Sequence, residues 1–280
     1  MNIFVMGAGT MGLDIAQVFA LAGHRVTVRD INDEIILAAK ERLKRSVASR
    51  LEKGRMTESE AGLVNGIDFT VELKAAADCG LCLEAIVENA AIKKQLFSEL
   101  SSICRESCIF VSNTSSISIT EIFSGVSDPS RCMGMHFFNP ATRMKLVELI
   151  RSIHTSDETF KTVWELSVQL QKTPVEVNEA PGFVVNRLLI PMINEAVCVY
   201  ADGVASAGHI DEAMKLGCNH PMGPLALGDM IGLDVVLAIM DTLYNETHDT
   251  KYRAHVLLRK MVRGGLLGKK SGKGFYEYNS

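Results

Sequence analysis

Asn2-Ile3-Phe4-Val5-Met6-Gly7-Ala8-Gly9-Thr10-Met11-Gly12 sets a short, mostly apolar run directly against a glycine-rich turn. Helical periodicity follows through Ile15, Val18, Phe19 and Leu21 and stops at Gly23. A second strand-like run, His24–Arg29, ends at Asp30, 18 positions after Gly12. A bare GxGxxG is a weak signal. Between a strand and a helix, with an acidic residue about 20 positions on, it reads as a dinucleotide-binding βαβ unit. In that unit Gly7 permits the tight turn, Gly9 lets a pyrophosphate approach the backbone, and Gly12 lets helix and strand pack closely. The helix N-terminus adds N–H donors and a positive dipole end for the phosphates. Gly7, Ala8, Gly9, Thr10, Met11, Gly12 and Asp30 are therefore the expected cofactor contacts. Asp30 suits the ribose hydroxyls and repels a 2′-phosphate, which favours NAD over NADP. Arg29 beside it is the opposing feature, being a residue type that holds such a phosphate.

Outward from this unit the chain keeps alternating. Residues 33–63 read as one long helical stretch, Asp68–Val71 and Cys79–Val87 as strands, Ala91–Ile103 as a helix and Ile109–Ser112 as a strand. That pattern predicts an α/β fold, a Rossmann-type doubly wound sheet domain. Ala180-Pro181-Gly182-Phe183 breaks it, and from Val184 the sequence is helical almost throughout. The expected division is a nucleotide-binding domain over 1–183, with a basic helical insertion, and an all-α C-terminal domain over 184–280. Val184–Gly203 and Leu225–Tyr244 are apolar on most faces, as expected of helices buried on several sides. So much apolar surface in a small helical domain points to a homodimer formed through it.

Chemistry concentrates in residues 112–148. Ser112-Asn113-Thr114-Ser115-Ser116 is a hydroxyl-rich loop; Met135-His136-Phe137-Phe138-Asn139-Pro140 ends a strand in a turn, and Lys145-Leu146-Val147-Glu148 opens another apolar run. Ligands of open α/β sheets bind at such strand ends. With His136 and Glu148 on neighbouring strands, the carboxylate fixes one ring nitrogen and leaves the other for proton transfer. A structural His beside a surface Glu is the blander alternative, and local sequence leaves both open. Between Lys40 and Arg55 lie seven cations against Glu41 and Glu52. Such runs are commonly solvated helix faces; in an acidic protein this one also suits a polyanionic small molecule.

Composition excludes several classes. A net charge of -4 gives nucleic acid no basic face. No membrane span is evident, since no apolar run reaches about 18 residues. Seven Cys form no disulfide framework and suit a reducing compartment, so with no presequence pattern at the start a cytoplasmic protein is expected. Cys79…Cys82 and Cys104…Cys108 lie in ordinary helix or strand patterns without a His cluster; they read as buried free thiols, and no metal is expected.

Together GAGTMG at 7–12, SNTSS at 112–116, HFFNP at 136–140, MKLVE at 144–148, PGFVVNR at 181–187, HPMGPLALGD at 220–229 and GKKSGKGFY at 268–276 resemble the L-3-hydroxyacyl-CoA dehydrogenase family over essentially the whole chain. The likeness is strongest to its bacterial members of fatty-acid and butyrate metabolism. It implies an NAD(H)-dependent oxidoreductase that reversibly oxidises an (S)-3-hydroxyacyl-CoA, above all 3-hydroxybutyryl-CoA, to the 3-ketoacyl-CoA. His136 then matches the general acid/base and Glu148 its orienting partner, while Ser115 and Asn186 match the residues that hold the substrate's oxygens. Cofactor contacts of the family fall on the Gly loop, Asp30, Glu88, Lys93, Ser115, Asn139 and Lys270, and its coenzyme A contacts on Ser46 and Lys53. Ala141-Thr142-Arg143 departs from the small apolar or Pro residues usual there and bears on acyl preference. Two competing readings are a dehydrogenase of a free hydroxy acid, which needs no basic helix, and a nucleotide-binding protein without turnover, which needs no such His–Glu–Ser–Asn set.

Overall fold

β1 (Asn2–Met6) pairs in parallel with β2 (Arg25–Arg29) on one side and β4 (Leu81–Glu84) on the other, so the strand order reverses at β1. In this computed structural model, which describes residues 1–278, β3 (Asp68–Thr70), β5 (Ile109–Ser112), β6 (Cys132–Phe137), β7 (Leu146–Arg151) and β8 (Thr173–Asn178) complete an eight-stranded sheet. The order is β3-β2-β1-β4-β5-β6-β7-β8. Strands β1 to β6 are parallel, because helices α1 (Thr10–Leu21), α2 (Asp33–Glu52), α3 (Glu58–Asn65), α4 (Ala90–Ile103) and the short α5 (Ile119–Ile122) intervene. Only loop 138–145 separates β6 from β7, too little for a crossover, so β7 runs antiparallel to β6. α6 (Asp157–Gln169) then returns the chain to a parallel β8.

The central strands read as unbroken apolar runs because both faces are covered: all of β4 and β6 is buried. Ile3 and Val5 of β1, Leu81 and Leu83 of β4, and Ile15, Ala16 and Phe19 of α1 belong to one buried cluster. The carboxyl ends of β1, β4, β5 and β6 and the start of β7 all open onto one edge of the sheet.

Two elements differ from the sequence reading. The stretch 33–63 is two helices, not one: α2 ends at a turn through Gly54, and Thr57 restarts the chain with a reciprocal capping box to Glu60. Leu225–Tyr244 likewise divides into α9 (Pro224–Ile231) and α10 (Leu233–Thr247) at Gly232, whose φ of +104 no β-carbon would favour.

By internal contacts the chain divides into Met1–Glu179 and Ala180–Ser280. The second unit is helical: α7 (Val185–Ala201), α8 (Ala207–Cys218), α9, α10 and α11 (Val256–Arg263). Ile190, Ile193, Val197, Leu225, Val236, Met240 and Leu258 form its core. Two buried carboxylates anchor its glycine-rich tail. Asp229 accepts the N–H groups of Phe275 and Tyr276 and the Tyr278 hydroxyl, and Asp211 accepts the Tyr276 hydroxyl. Among the described residues no helix is long and apolar enough to cross a membrane.

Candidate active site

The turn after β1 has no room for side chains where the sequence has glycine. A β-carbon on Gly7 would lie 2.4 Å from the Ala85 carbonyl oxygen, and one on Gly12 would lie 1.8 Å from that of Gly7. Gly9 is different: no atom lies within 4 Å of its β-carbon position. Two of the glycines thus close the turn against β4 and α1, while the third leaves open surface at the α1 N-terminus, where the first-turn N–H groups favour an anion. Asp30, at the end of β2, is held by the Ala8 N–H (2.7 Å) and the Ile31 N–H (2.7 Å), one on each carboxylate oxygen. Each oxygen keeps a second acceptor site. Glycine loop, helix terminus and acidic strand end together fit a dinucleotide.

Three strand positions from β1, on β6, His136 lies directly opposite Glu148 of β7 in the antiparallel register, so both side chains share one face. The His136 Nδ1 lies 2.8 Å from a Glu148 carboxylate oxygen, with the residues 6% and 1% exposed. A carboxylate can only accept there, so Nδ1 carries the proton and Nε2 is the basic nitrogen. The Phe138 ring packs 4.5 Å from the imidazole. Asn113, from the loop after β5, accepts the Phe137 N–H at 2.8 Å and ties the hydroxyl-rich loop to the end of the His136 strand.

A chain of ionic contacts positions that loop. Glu84, wholly buried at the end of β4, accepts from Lys93 Nζ (2.6 Å), the Ile86 N–H (2.7 Å) and the Ser112 hydroxyl (2.6 Å). Lys93 also pairs with Glu88 at 2.9 Å. Glu88 in turn accepts the Thr114 hydroxyl (2.5 Å) and the Ser115 N–H (3.1 Å). Desolvation acts against ionising Glu88, but the Lys93 charge and these donors outweigh it and hold the carboxyl below its usual range. The Lys93 ammonium is enclosed by its two carboxylates, so it fixes the loop that carries Ser115.

The basic stretch serves two purposes. Arg42 donates to the Ala8 carbonyl (2.5 Å) and Arg50 to the Gln17 side chain (3.2 Å), so these two cations brace the glycine loop and α1, although Arg42 stays exposed. Ser46 is half-buried between them on the same stripe of α2, and Lys53, the C-cap, is exposed. After β6, Asn139 is exposed, Ala141 is fully buried and Arg143 is exposed. Lys172 donates to the carbonyls of Ala141 (2.6 Å) and Met144 (2.9 Å), which pins this loop. Asn186 and Lys270 belong to the second unit: Asn186 is in the first turn of α7, and Lys270 pairs with Asp234.

Sequence reasoning passed over Glu84, Asn113 and Lys172. Only Glu84 carried a signal: a carboxylate inside a strand buried on both faces needs a partner, and Lys93 one turn into the next helix supplies it.

Comparison with known proteins covers both units of the chain. Residues 2–180 match the model of the 3-hydroxyacyl-CoA dehydrogenase NAD-binding domain, and residues 182–278 that of the 3-hydroxyacyl-CoA dehydrogenase C-terminal domain. A 3-hydroxybutyryl-CoA dehydrogenase of Clostridioides difficile is 53% identical over the whole of both chains. A probable 3-hydroxybutyryl-CoA dehydrogenase of Bacillus subtilis (strain 168) is 52% identical over 99% of this chain and 97% of its own. The crystal structure of an (S)-3-hydroxybutyryl-CoA dehydrogenase from Ralstonia eutropha superposes with a TM-score of 0.95 at 46% identity, covering 100% of this chain and 99% of that one.

Proposed function

The chain belongs to the 3-hydroxyacyl-CoA dehydrogenase family, and from that premise we propose that it interconverts (S)-3-hydroxybutyryl-CoA and acetoacetyl-CoA with NAD(H), within fatty-acid and butyrate metabolism. It is an oxidoreductase. The observation that carries the reading is the buried His136–Glu148 pair at the edge of the sheet that also bears the glycine loop.

In the oxidative direction His136 Nε2 takes the proton from the substrate's 3-hydroxyl; in the reductive direction it returns that proton to the 3-keto oxygen. Glu148 keeps the proton of Nδ1 in place and compensates the imidazolium formed midway. When bound, the nicotinamide supplies the hydride chemistry at C3. Ser115, set by Glu88, holds the substrate's oxygen and so helps orient C3. Gly7 to Gly12, Asp30, Glu88, Ser115 and Asn139 form the cofactor side, with Lys93 acting through Glu88, and Ser46 with Lys53 receives the coenzyme A portion. NAD is the preferred partner: Asp30 is poised as an acceptor, and Arg29 is engaged by the Val71 carbonyl at 3.2 Å. The second unit exposes Leu188, Val204 and Leu216 by more than two thirds, which supports a homodimer formed through it. Seven free thiols support a cytoplasmic setting.

The test is NADH loss at fixed enzyme with acetoacetyl-CoA, run beside free acetoacetate and beside NADPH. Fast turnover with the thioester and NADH alone is expected. Equal rates with free acetoacetate would replace this reading with a free-acid dehydrogenase, and equal rates with NADPH would overturn the role given to Asp30. No turnover with either substrate would leave nucleotide binding without catalysis.

A further inference from the structure

Five of the seven free cysteines, Cys79, Cys82, Cys104, Cys108 and Cys132, are buried in the first unit. Three of them converge. Cys82 Sγ is 3.8 Å from Cys104 Sγ and 3.6 Å from Cys108 Sγ, and the three sulfurs all lie within 4.8 Å of one another. They come from different elements: Cys82 from β4, Cys104 from the C-cap of α4, and Cys108 from the residue before β5. Their spacing in the chain is irregular, and only the fold assembles them.

Guanidinium-to-carbonyl hydrogen bonds hold the assembly in place. Arg131 Nη1 donates to the carbonyls of Arg105 (2.8 Å), Glu106 (3.1 Å) and Cys108 (3.2 Å), while Arg105 Nε reaches the Cys79 carbonyl (3.2 Å). The turn from Cys104 to Cys108 is thereby fixed against the start of β4. It lies at the amino ends of β4 and β5, away from Glu84 and Ser112 at their carboxyl ends.

A tetrahedral ion with metal–sulfur bonds of about 2.3 Å sets its sulfurs about 3.8 Å apart. We propose that Cys82, Cys104 and Cys108 form a preorganised three-thiolate site for a soft d10 cation of the zinc and cadmium class, separate from the reaction centre. The Ala76 carbonyl oxygen, 3.5 Å from Cys104 Sγ, is the neighbouring oxygen donor. Binding breaks three S–H bonds, forms three metal–sulfur bonds and sends three protons to solvent, with no change of oxidation state. Cys82 links the cluster through sulfur contacts to both Cys104 and Cys108, and Arg131 lies beside it, donating to the Cys108 carbonyl. Three thiolates and a divalent ion carry a net charge of minus one. Arg131 matches it: the residue is 7% exposed and its Nε has no hydrogen-bond acceptor.

The full-length chain, reduced and metal-stripped, is titrated with Cd2+ while thiolate-to-cadmium charge-transfer absorption is followed, and bound metal is counted after gel filtration. One ion per chain is expected, kept in Cys218→Ser and lost in Cys82→Ala. In a second measurement on the unsubstituted chain, alkylation under mild denaturation with peptide mass spectrometry should show Cys82, Cys104 and Cys108 protected together by Cd2+. No band at one equivalent in the folded chain overturns the proposal and leaves three packed thiols only. So does a band that survives Cys82→Ala or vanishes in Cys218→Ser. If Cys82→Ala does not fold, the protection pattern decides: protection at Cys198 or Cys218 instead of the triad is the overturning result.

Discussion

Replacing Glu148 by Gln separates what the carboxylate does for chemistry from what it does for the fold. The two side chains face each other in the β6–β7 register, 2.8 Å apart, with Glu148 1% exposed. Gln has nearly the same shape, so no cavity forms. It also removes a buried charge, which offsets part of the lost hydrogen bond, and stability should fall by no more than about 1 kcal/mol. Catalysis should suffer far more. A carboxylate forces the Nδ1–H tautomer, whereas a carboxamide can turn its NH2 toward Nδ1 and leave the proton on Nε2, the atom that must accept one. It also withdraws the compensating charge from the imidazolium. Loss of a general acid–base group lowers turnover by about 10²–10⁴-fold, or about 2.7–5.4 kcal/mol at 1.36 kcal/mol per decade.

Steady-state kinetics with acetoacetyl-CoA and NADH, set beside urea unfolding of the same preparation, gives both numbers. Glu148→Gln should keep its KM for NADH, keep its unfolding midpoint to within the stated cost, and lose kcat by at least about a hundredfold. His136→Ala should fall into the same range without adding to it in the double variant, since the pair acts as one unit. A Glu148→Gln enzyme within about fivefold of its parent would refute the assignment. Loss of activity in step with loss of folded protein would instead make the pair a structural one.

The glycine loop makes a contrasting pair of predictions: Gly12→Ala drives its β-carbon to within 1.8 Å of the Gly7 carbonyl and should cost about 3 kcal/mol or more in stability, whereas Gly9→Ala meets no atom within 4 Å and should unfold like the parent. NADH titration by fluorescence should nevertheless show Gly9→Ala binding at least about tenfold more weakly; unchanged binding would remove the pyrophosphate from that surface. Glu84→Gln leaves Lys93 with Glu88 as its one remaining carboxylate and should cost about 3 kcal/mol, the low end for breaking a buried pair, together with a rise in KM for acyl-CoA as the Ser115 loop loosens. An unaltered urea midpoint would show that Glu88 alone holds the lysine. At high pH the tail should detach. Burial and then the charge and hydrogen bond of Asp229 push Tyr278 from about 10 up to about 12, and burial with the Asp211 bond raises Tyr276 as well. A phenol whose folded pKa is raised contributes stability below pH 10 that is lost as pH rises through about 12. Tyrosinate absorbance of the native chain should show a late component that disappears in Tyr276→Phe/Tyr278→Phe, and its persistence there would refute the anchoring.

Legibility in the sequence tracked how local the determining physics is. The glycine loop is read from three residues because each answers a backbone demand within one βαβ unit, and the structure places Gly7 and Gly12 at close approaches and Gly9 at open surface. Helix boundaries at 53–57 and at Gly232 were missed because apolar periodicity continues across them. What ends those helices is a capping box at Thr57 and a left-handed-side φ at Gly232, which a running pattern averages away. The basic run was legible as charge but not as direction. Arg42 and Arg50 lie two turns apart on α2 and each bonds back to the protein, one to a carbonyl of the glycine loop and one to α1, so part of the charge braces the cofactor turn.

Why the His136–Glu148 pair could be anticipated while Glu84–Lys93 and the thiol triad could not comes down to the period of a strand. A hairpin-like connection between β6 and β7 leaves the register to a short loop, and side chains alternate strictly, so two polar residues at matched parity in apolar strands meet or both are wasted. No such rule links β4 with the interior of α4, or β4 with the turn before β5: parallel neighbours are joined through helices, and each crossing adds a free choice of phase. Glu84 meets Lys93 because α4 packs with that one face toward the sheet, and Cys82 meets Cys104 and Cys108 because Arg131 folds the intervening turn back. Both outcomes follow from tertiary packing around a buried cation. In a parallel sheet, then, a charged residue inside an all-apolar strand is the useful sequence signal even when its partner is unreadable, since burial guarantees that a partner exists.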